Sequence, residues 1–255
     1  MKTIRLLVTL CVLSCLASAV LAHADTCATG SLSNVLGTTC TIGDKTFTFS
    51  SAAQDQFTGI SAAQILFTTN TSDPLSPGFS FSSATGGPIS LAATPGANSN
   101  ELINVGVNYT VSVTDGSASL LGQSFTLSGA TVNLTGLTGD NTISDATNFL
   151  GSMSGASVEV FLQCQVPAGP TGCTTSQGPV NLTSGGTFAT PQVSAVGQAG
   201  FELAAQTTSG RTSASLTSVS YNFNEAPQGV PEPSSVLLLG TGLVGFAMRR
   251  FKNRI

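Results

Sequence analysis

From residue 102 to 114 the chain alternates. Ile103, Val105, Val107, Tyr109, Val111 and Val113 share one parity, and Asn104, Asn108, Thr110, Ser112 and Thr114 share the other. An extended backbone points successive side chains to opposite sides, so this period of two describes a strand with one buried and one wet face. The same alternation recurs at 46–50 and 79–82, and 65–69, 124–134, 157–164, 200–206 and 214–223 read as further strands. Pro and Gly clusters at 74–78, 86–88 and 95–96, with 115–116, 138–141 and 184–186, supply the breaks between them. Residues 144–150 suggest one helical turn. About eight to eleven strands with turns between them predict an all-β chain, a single antiparallel β-sandwich or jelly-roll-like domain.

Charge narrows the class further. Between Asp25 and Glu225 only Lys45 and Arg211 are basic against eleven acids, a formal charge of 2 − 11 = −9. Such a domain repels phosphate backbones, so nucleic acid is not an expected partner. Ser, Thr, Gly and Asn dominate its polar residues, and the fourteen phenylalanines read as core.

The N-terminus has the layout of a secretory signal peptide over residues 1–24. Lys2 and Arg5 precede an uncharged apolar run, and Ala22-His23-Ala24 fits the small-x-small cleavage rule. Cleavage after Ala24 removes Cys11, Cys15 and the only histidine, His23. Four cysteines then remain in an oxidising compartment, and the expected pairing is local, Cys27 with Cys40 and Cys164 with Cys173. The turn-rich run between Cys164 and Cys173 favours that choice.

Catalytic and metal chemistry find little support. Without histidine there is no triad base, and Gly-x-Ser-x-Gly and Ser-x-x-Lys are absent. Zinc is disfavoured because no Cys-x-x-Cys occurs. Asp140, Asn141 and Asp145 bring oxygen ligands together in a loop as a weak calcium candidate, although turn chemistry explains the same residues. Lys45 sits beside Asp44 in an expected turn. Glu101, Glu159 and Glu202 fall in or near strands and leave a carboxylate pair for glycoside hydrolysis as a remote option. No cofactor is expected, and the chain reads as a non-enzyme.

The other end is distinctive. After a linker from 226, Val230, Pro231, Glu232 and Pro233 form a short stiff segment, because each proline fixes φ and extends its neighbour. Residues 234–248 are uncharged and mostly apolar, and Arg249, Arg250, Lys252 and Arg254 close the chain. Basic residues resist translocation, which places this end in the cytoplasm and residues 25–229 outside. The apolar run is shorter than the ~20 residues of a full span, which suits a removable tail.

Stiff motif, apolar helix and basic end together resemble the PEP-CTERM sorting signal of exported bacterial proteins, over residues 230–255 alone. The resemblance implies recognition by exosortase, transient residence in the inner membrane, removal of the tail, and a final place at the cell surface or outside. It also implies a Gram-negative producer of exopolysaccharide, itself a possible partner. For residues 25–225 a structural or adhesive role is the first reading. A carbohydrate-binding module is the alternative, and a row of polar groups and rings on one sheet face would distinguish it. The absence of Trp and the presence of only two Tyr count against a stacking groove.

Overall fold

The computed structural model describes residues 25–51, 55–96, 99–114, 119–135, 142–153, 156–166, 176–207 and 210–226, with backbone alone for 142–153 and, Leu162 apart, for 156–166. Its strands are β1 (Gly30–Ser31), β2 (Thr39–Ile42), β3 (Lys45–Phe49), β4 (Gln56–Thr58) and β5 (Ile65–Asn70). There follow β6 (Gly78–Ser83), β7 (Ile89–Ala93), β8 (Asn100–Val113), β9 (Leu120–Thr135) and β10 (Thr142–Met153). The last five are β11 (Ala156–Val166), β12 (Gln177–Gln192), β13 (Ser194–Gln206), β14 (Arg211–Leu216) and β15 (Ser218–Glu225). The ladders between them are antiparallel, as the alternation predicts.

Two sheets pack face to face. Sheet I runs β1-β5-β6-β15-β9-β14-β7, with β12 on the other edge of β9. Sheet II runs β11-β10-β13-β8-β3-β2, with β4 also on β8. The fold is thus the all-β sandwich that the sequence predicts, with more strands than expected, several of them longer than the predicted runs.

β8 behaves as its pattern requires: Ile103, Val105, Val107, Tyr109 and Val111 are buried. Across the gap, Phe47 of β3 meets Phe79 of β6 and Phe223 of β15, and Phe49 of β3 meets Phe79, with ring centroids 5.1 to 5.6 Å apart and edge-on. Each fully buried aromatic of this kind contributes roughly 1.5–3 kcal/mol by removal from water. Phe47, Phe49, Phe67, Phe79, Phe81, Phe125, Phe201 and Phe223 are thus buried core residues, as composition suggested, whereas Phe57 and Phe188 are half-buried against that core.

Several sequence expectations need correction. Residues 144–150 form part of β10, paired to β11 and β13, and are no helical turn. Asp145, expected in a loop, is in that strand opposite Gln163 and Ala204, because two neighbouring strands override its local turn preference. The glycines at 184–186 lie inside β12 and do not break it. A Cβ on Gly122 would lie 2.1 Å from the Gly186 carbonyl oxygen, so glycine here permits close approach of β9 and β12.

The run 214–223 is one strand in sequence but two in space. Ala214 and Leu216 point inward on even numbers, whereas Val219, Tyr221 and Phe223 do so on odd ones. β9 switches at the same height, from Ala130 and Val132 to Phe125 and Leu127. Both strands reset together at Thr217 and Gly129, so the pairing register survives the kink. Gly129 has φ 64°, and a Cβ there would sit 2.3 Å from the Thr217 hydroxyl oxygen.

Candidate functional site

The alternation that buries aromatic side chains sends small neutral ones outward on sheet I. One row crosses five strands: Thr68, Ser80, Ser220, Thr126 and Thr183 stand side by side. A second row is Asn70, Gly78, Asn222, Ser124 and Gly185. Neighbouring members are about 4.8 Å apart across strands, and successive rows about 7 Å apart along them.

Members of the array bond one another. The Thr126 and Thr183 hydroxyls share a 2.9 Å hydrogen bond, and Asn70 Nδ2 donates to Asn222 Oδ1 at 3.1 Å, over the bare backbone of Gly78. The Gly129 N–H, released at the kink, donates to Asn181 Oδ1 at 2.8 Å. Arg211, at a corner of the face, is the one charged side chain that the described strands of sheet I direct outward. The face can therefore exchange hydrogen bonds with hydroxyl-rich or amide-rich partners while offering little Coulomb attraction. It has rows of polar groups but no outward ring among the described residues, which is half of what a sugar-stacking face needs.

The second feature is a buried ion pair at one end of the sandwich. Lys45 of β3 and Glu225 of β15 are 0% and 6% exposed, and Lys45 Nζ donates to Glu225 Oε1 and, at 3.1 Å, to Asp44 Oδ1. Lys45 is thus a strand residue that ties sheet II to sheet I, and the expectation of a turn fails for it; the turn is Gly43-Asp44. Burial holds the Glu225 carboxyl above the ordinary range, while its bond to Lys45 opposes that shift. Pro74, Leu75, Pro77 and Thr71 join Gly43, Asp44 and Glu225 around an open cleft of about 540 Å³. Sequence reading missed the pair, yet its signal was present: Lys45 shares parity with Phe47 and Phe49, and Glu225 with Tyr221 and Phe223.

Asp55 has a structural task. It lies between β3 and β4, along the edge of β8 away from β13, and its Oδ1 accepts the Asn108 N–H at 2.9 Å. Burial pushes its carboxyl up, against bonds from Ser50 and Asn108. No sequence pattern marked it.

Glu101 and Glu202 do not converge. Glu101 is opposite Ala205, which faces the core, whereas Glu202 is opposite Asn104 on the outer face and accepts from Asn104 Nδ2 at 3.0 Å. Directly opposed residues share a face, so Glu101 and Glu202 lie on opposite sides of sheet II. Glu159 is in β11. Among the described residues no three His, Cys, Asp or Glu side chains converge as metal ligands, and Asp140 and Asn141 lie outside them.

Cys27 and Cys40 form a disulfide, as predicted. Cys164 has its backbone in β11, and Cys173 lies outside the described residues. Ala22, Ala24, the segment Val230 to Pro233 and the basic residues Arg249, Arg250, Lys252 and Arg254 also lie outside them. Among the described residues no helix is long and apolar enough to cross a membrane.

Residues 229–250 match the family model of the PEP-CTERM protein-sorting motif. The chain therefore carries a PEP-CTERM sorting signal over this segment, a mark of export to the cell surface or beyond. Among curated proteins no match is found. Similar solved structures include TmCBM61 in complex with β-1,4-galactotriose, at TM-score 0.29 and 7% identity over 68% of this chain and 89% of that one. Another is the enzymatically active domain of bacteriophage CBA120 tailspike protein 4, at 0.19 and 15% over 78% of this chain and 21% of that one. A third is Trichoderma harzianum endoglucanase 3 of family GH12, at 0.20 and 9% over 69% of this chain and 100% of that one. With TM-scores this low, these likenesses carry no argument about function.

Proposed function

We propose that residues 25–225 are the mature part of a non-enzymatic surface or matrix protein of an exopolysaccharide-producing Gram-negative bacterium. A signal peptide cleaved after Ala24 exports it, and exosortase recognises Pro231-Glu232-Pro233 and removes the helix and basic tail from the inner membrane. The sorting motif at 229–250 is the observation that carries this reading. An extended proline-flanked peptide loses little entropy on entering an enzyme groove, which suits a recognised site better than a spacer. Replacing all three motif residues with alanine in the native host is the test. The variant is expected to stay uncut in the inner membrane while the parent appears smaller and outside. Equal size and equal fractionation of the two would reduce the motif to a linker.

The role of the sandwich in this reading is structural or adhesive. A second reading, a carbohydrate-binding module, draws on the neutral hydroxyl and amide rows of sheet I. Exopolysaccharide from the producer, titrated against the processed protein, separates the two. Saturable binding supports the module, and no retention supports the structural role.

A further inference from the structure

The geometry points to β12 as a self-association edge. We infer that β12 of one copy pairs antiparallel with β12 of a second copy about a two-fold axis, joining two copies of sheet I into one. This deepens the structural reading above by naming its partner, another copy of this chain.

β12 is sixteen residues long and pairs with β9 along one edge, regularly from Leu182 opposite Leu127 to Thr187 opposite Gly122. Among the described residues its other edge has no ladder. Pro179 and Pro191 bracket that edge, and each of the eleven residues between them keeps a backbone N–H. A free edge is a template for another strand, and proteins that must stay apart blunt it with charge. Here that protection is missing: residues 160–201 contain no Asp, Glu, Lys, Arg or His. In a domain of formal charge −9 this is where two copies approach with least repulsion. The described edges elsewhere are less suitable. β1 has two residues, β2 four and β7, the far edge of sheet I, five, and β11, the long edge of sheet II, carries Glu159.

The side chains fix the register. Directly opposed residues share a face, so the two-fold axis passes through a residue position. With Gly185 on the axis, Thr183 faces Thr187 of the second copy on the outer side. On the inner side Leu182 faces Phe188, and both are only half-buried in the single copy. Their contact covers apolar surface that one copy leaves wet. An axis at Ser184 would set Leu182 against Gly186 and leave it uncovered. The Gly185 register also carries the row ending at Thr183 onward into the second copy.

The experiment measures the mass of the exported protein, as isolated from outside the producing cells, in solution over rising concentration, in wild type and in a T183K/T187K variant. Both threonines point outward and are exposed, so lysines there are compatible with the single copy. In the pair they place like charges directly opposite. Wild type is expected to dimerise, and T183K/T187K to stay monomeric at ten-fold higher concentration with an unchanged circular dichroism spectrum and melting temperature. Mixed with T183E/T187E, it should form a heterodimer. A monomeric wild type, or a lysine variant as dimeric as wild type, would overturn the proposal. A variant that melts early is replaced by A189K, whose outward position faces Asn181 across the pair, and the same two outcomes decide. Sorting through Pro231-Glu232-Pro233 is scored separately by size and fractionation, so either idea can fail alone.

Discussion

The Tyr221 hydroxyl of sheet I donates a 2.6 Å hydrogen bond to the Gly200 carbonyl oxygen of sheet II. A polar group is thus satisfied in the middle of an aromatic core, and the two sheets are fixed in one alignment. Glycine is required at the acceptor, because a Cβ on Gly200 would lie 2.3 Å from the Val105 carbonyl oxygen. Tyr221→Phe should keep the ring packing and lose about 1 kcal/mol of stability, read as a lower urea midpoint with unchanged slope.

Tyr109 and Tyr221 are the two tyrosines of the whole chain, and both are buried. Burial raises both phenols above their ordinary value of 10.0. A raised folded value means that stability is fully present below the ordinary value and falls as pH rises towards the raised one. Alkaline titration should therefore show tyrosinate absorbance rising together with loss of folded signal. Smooth ionisation of folded protein near pH 10 would contradict the buried placement.

The Lys45–Glu225 pair is expected to be costly to break and cheap to replace. Lys45→Met alone leaves a buried carboxylate and should lose roughly 3–5 kcal/mol, whereas Lys45→Met with Glu225→Leu should recover most of it. Unfolding curves for the two single variants and the double one measure the coupling.

Acid should favour Asp55. Its folded value lies above the ordinary 3.8 because of burial, so the folded state takes up this proton before the unfolded chain does. Its contribution to stability is complete below 3.8 and is lost as pH rises through the raised value. Asp55→Asn, which cannot titrate, should have a flatter dependence of unfolding free energy on pH across that window, while Glu225, shifted in the same direction, continues to contribute.

Cys27 and Cys40 close a loop with a sequence separation of 13. The chain-entropy account gives about 3 kcal/mol for such a loop. The doubly substituted Cys27→Ser/Cys40→Ser protein should lose about 3 kcal/mol of unfolding free energy and melt at a lower temperature, and non-reducing peptide mapping of the wild type should find Cys27 joined to Cys40. The same map tests the expected Cys164–Cys173 bridge.

Much of this protein is determined locally. The burial of Ile103, Val105, Val107, Tyr109 and Val111 follows from a period of two, which needs only an extended backbone and a core on one side. The Cys27–Cys40 bridge was legible because few residues separate the partners. The sorting segment was legible because a recognised peptide is read as a linear sequence.

Tertiary structure decided the rest, wherever a residue's environment comes from distant chain. Asp145 and its neighbours became strand because β11 and β13 supply backbone partners on both sides. Gly185 and Gly186 read as a break by composition, but β9 approaches β12 so closely that a Cβ on Gly185 would lie 2.8 Å from the Gln123 carbonyl oxygen. Strand parity placed Lys45 and Glu225 on the core side; only the packing of β3 against β15, 180 residues apart, made them partners. The rows on sheet I arise similarly. Each strand's alternation makes its outer side polar, but strand order and register alone bring Thr68, Ser80, Ser220, Thr126 and Thr183 into one line.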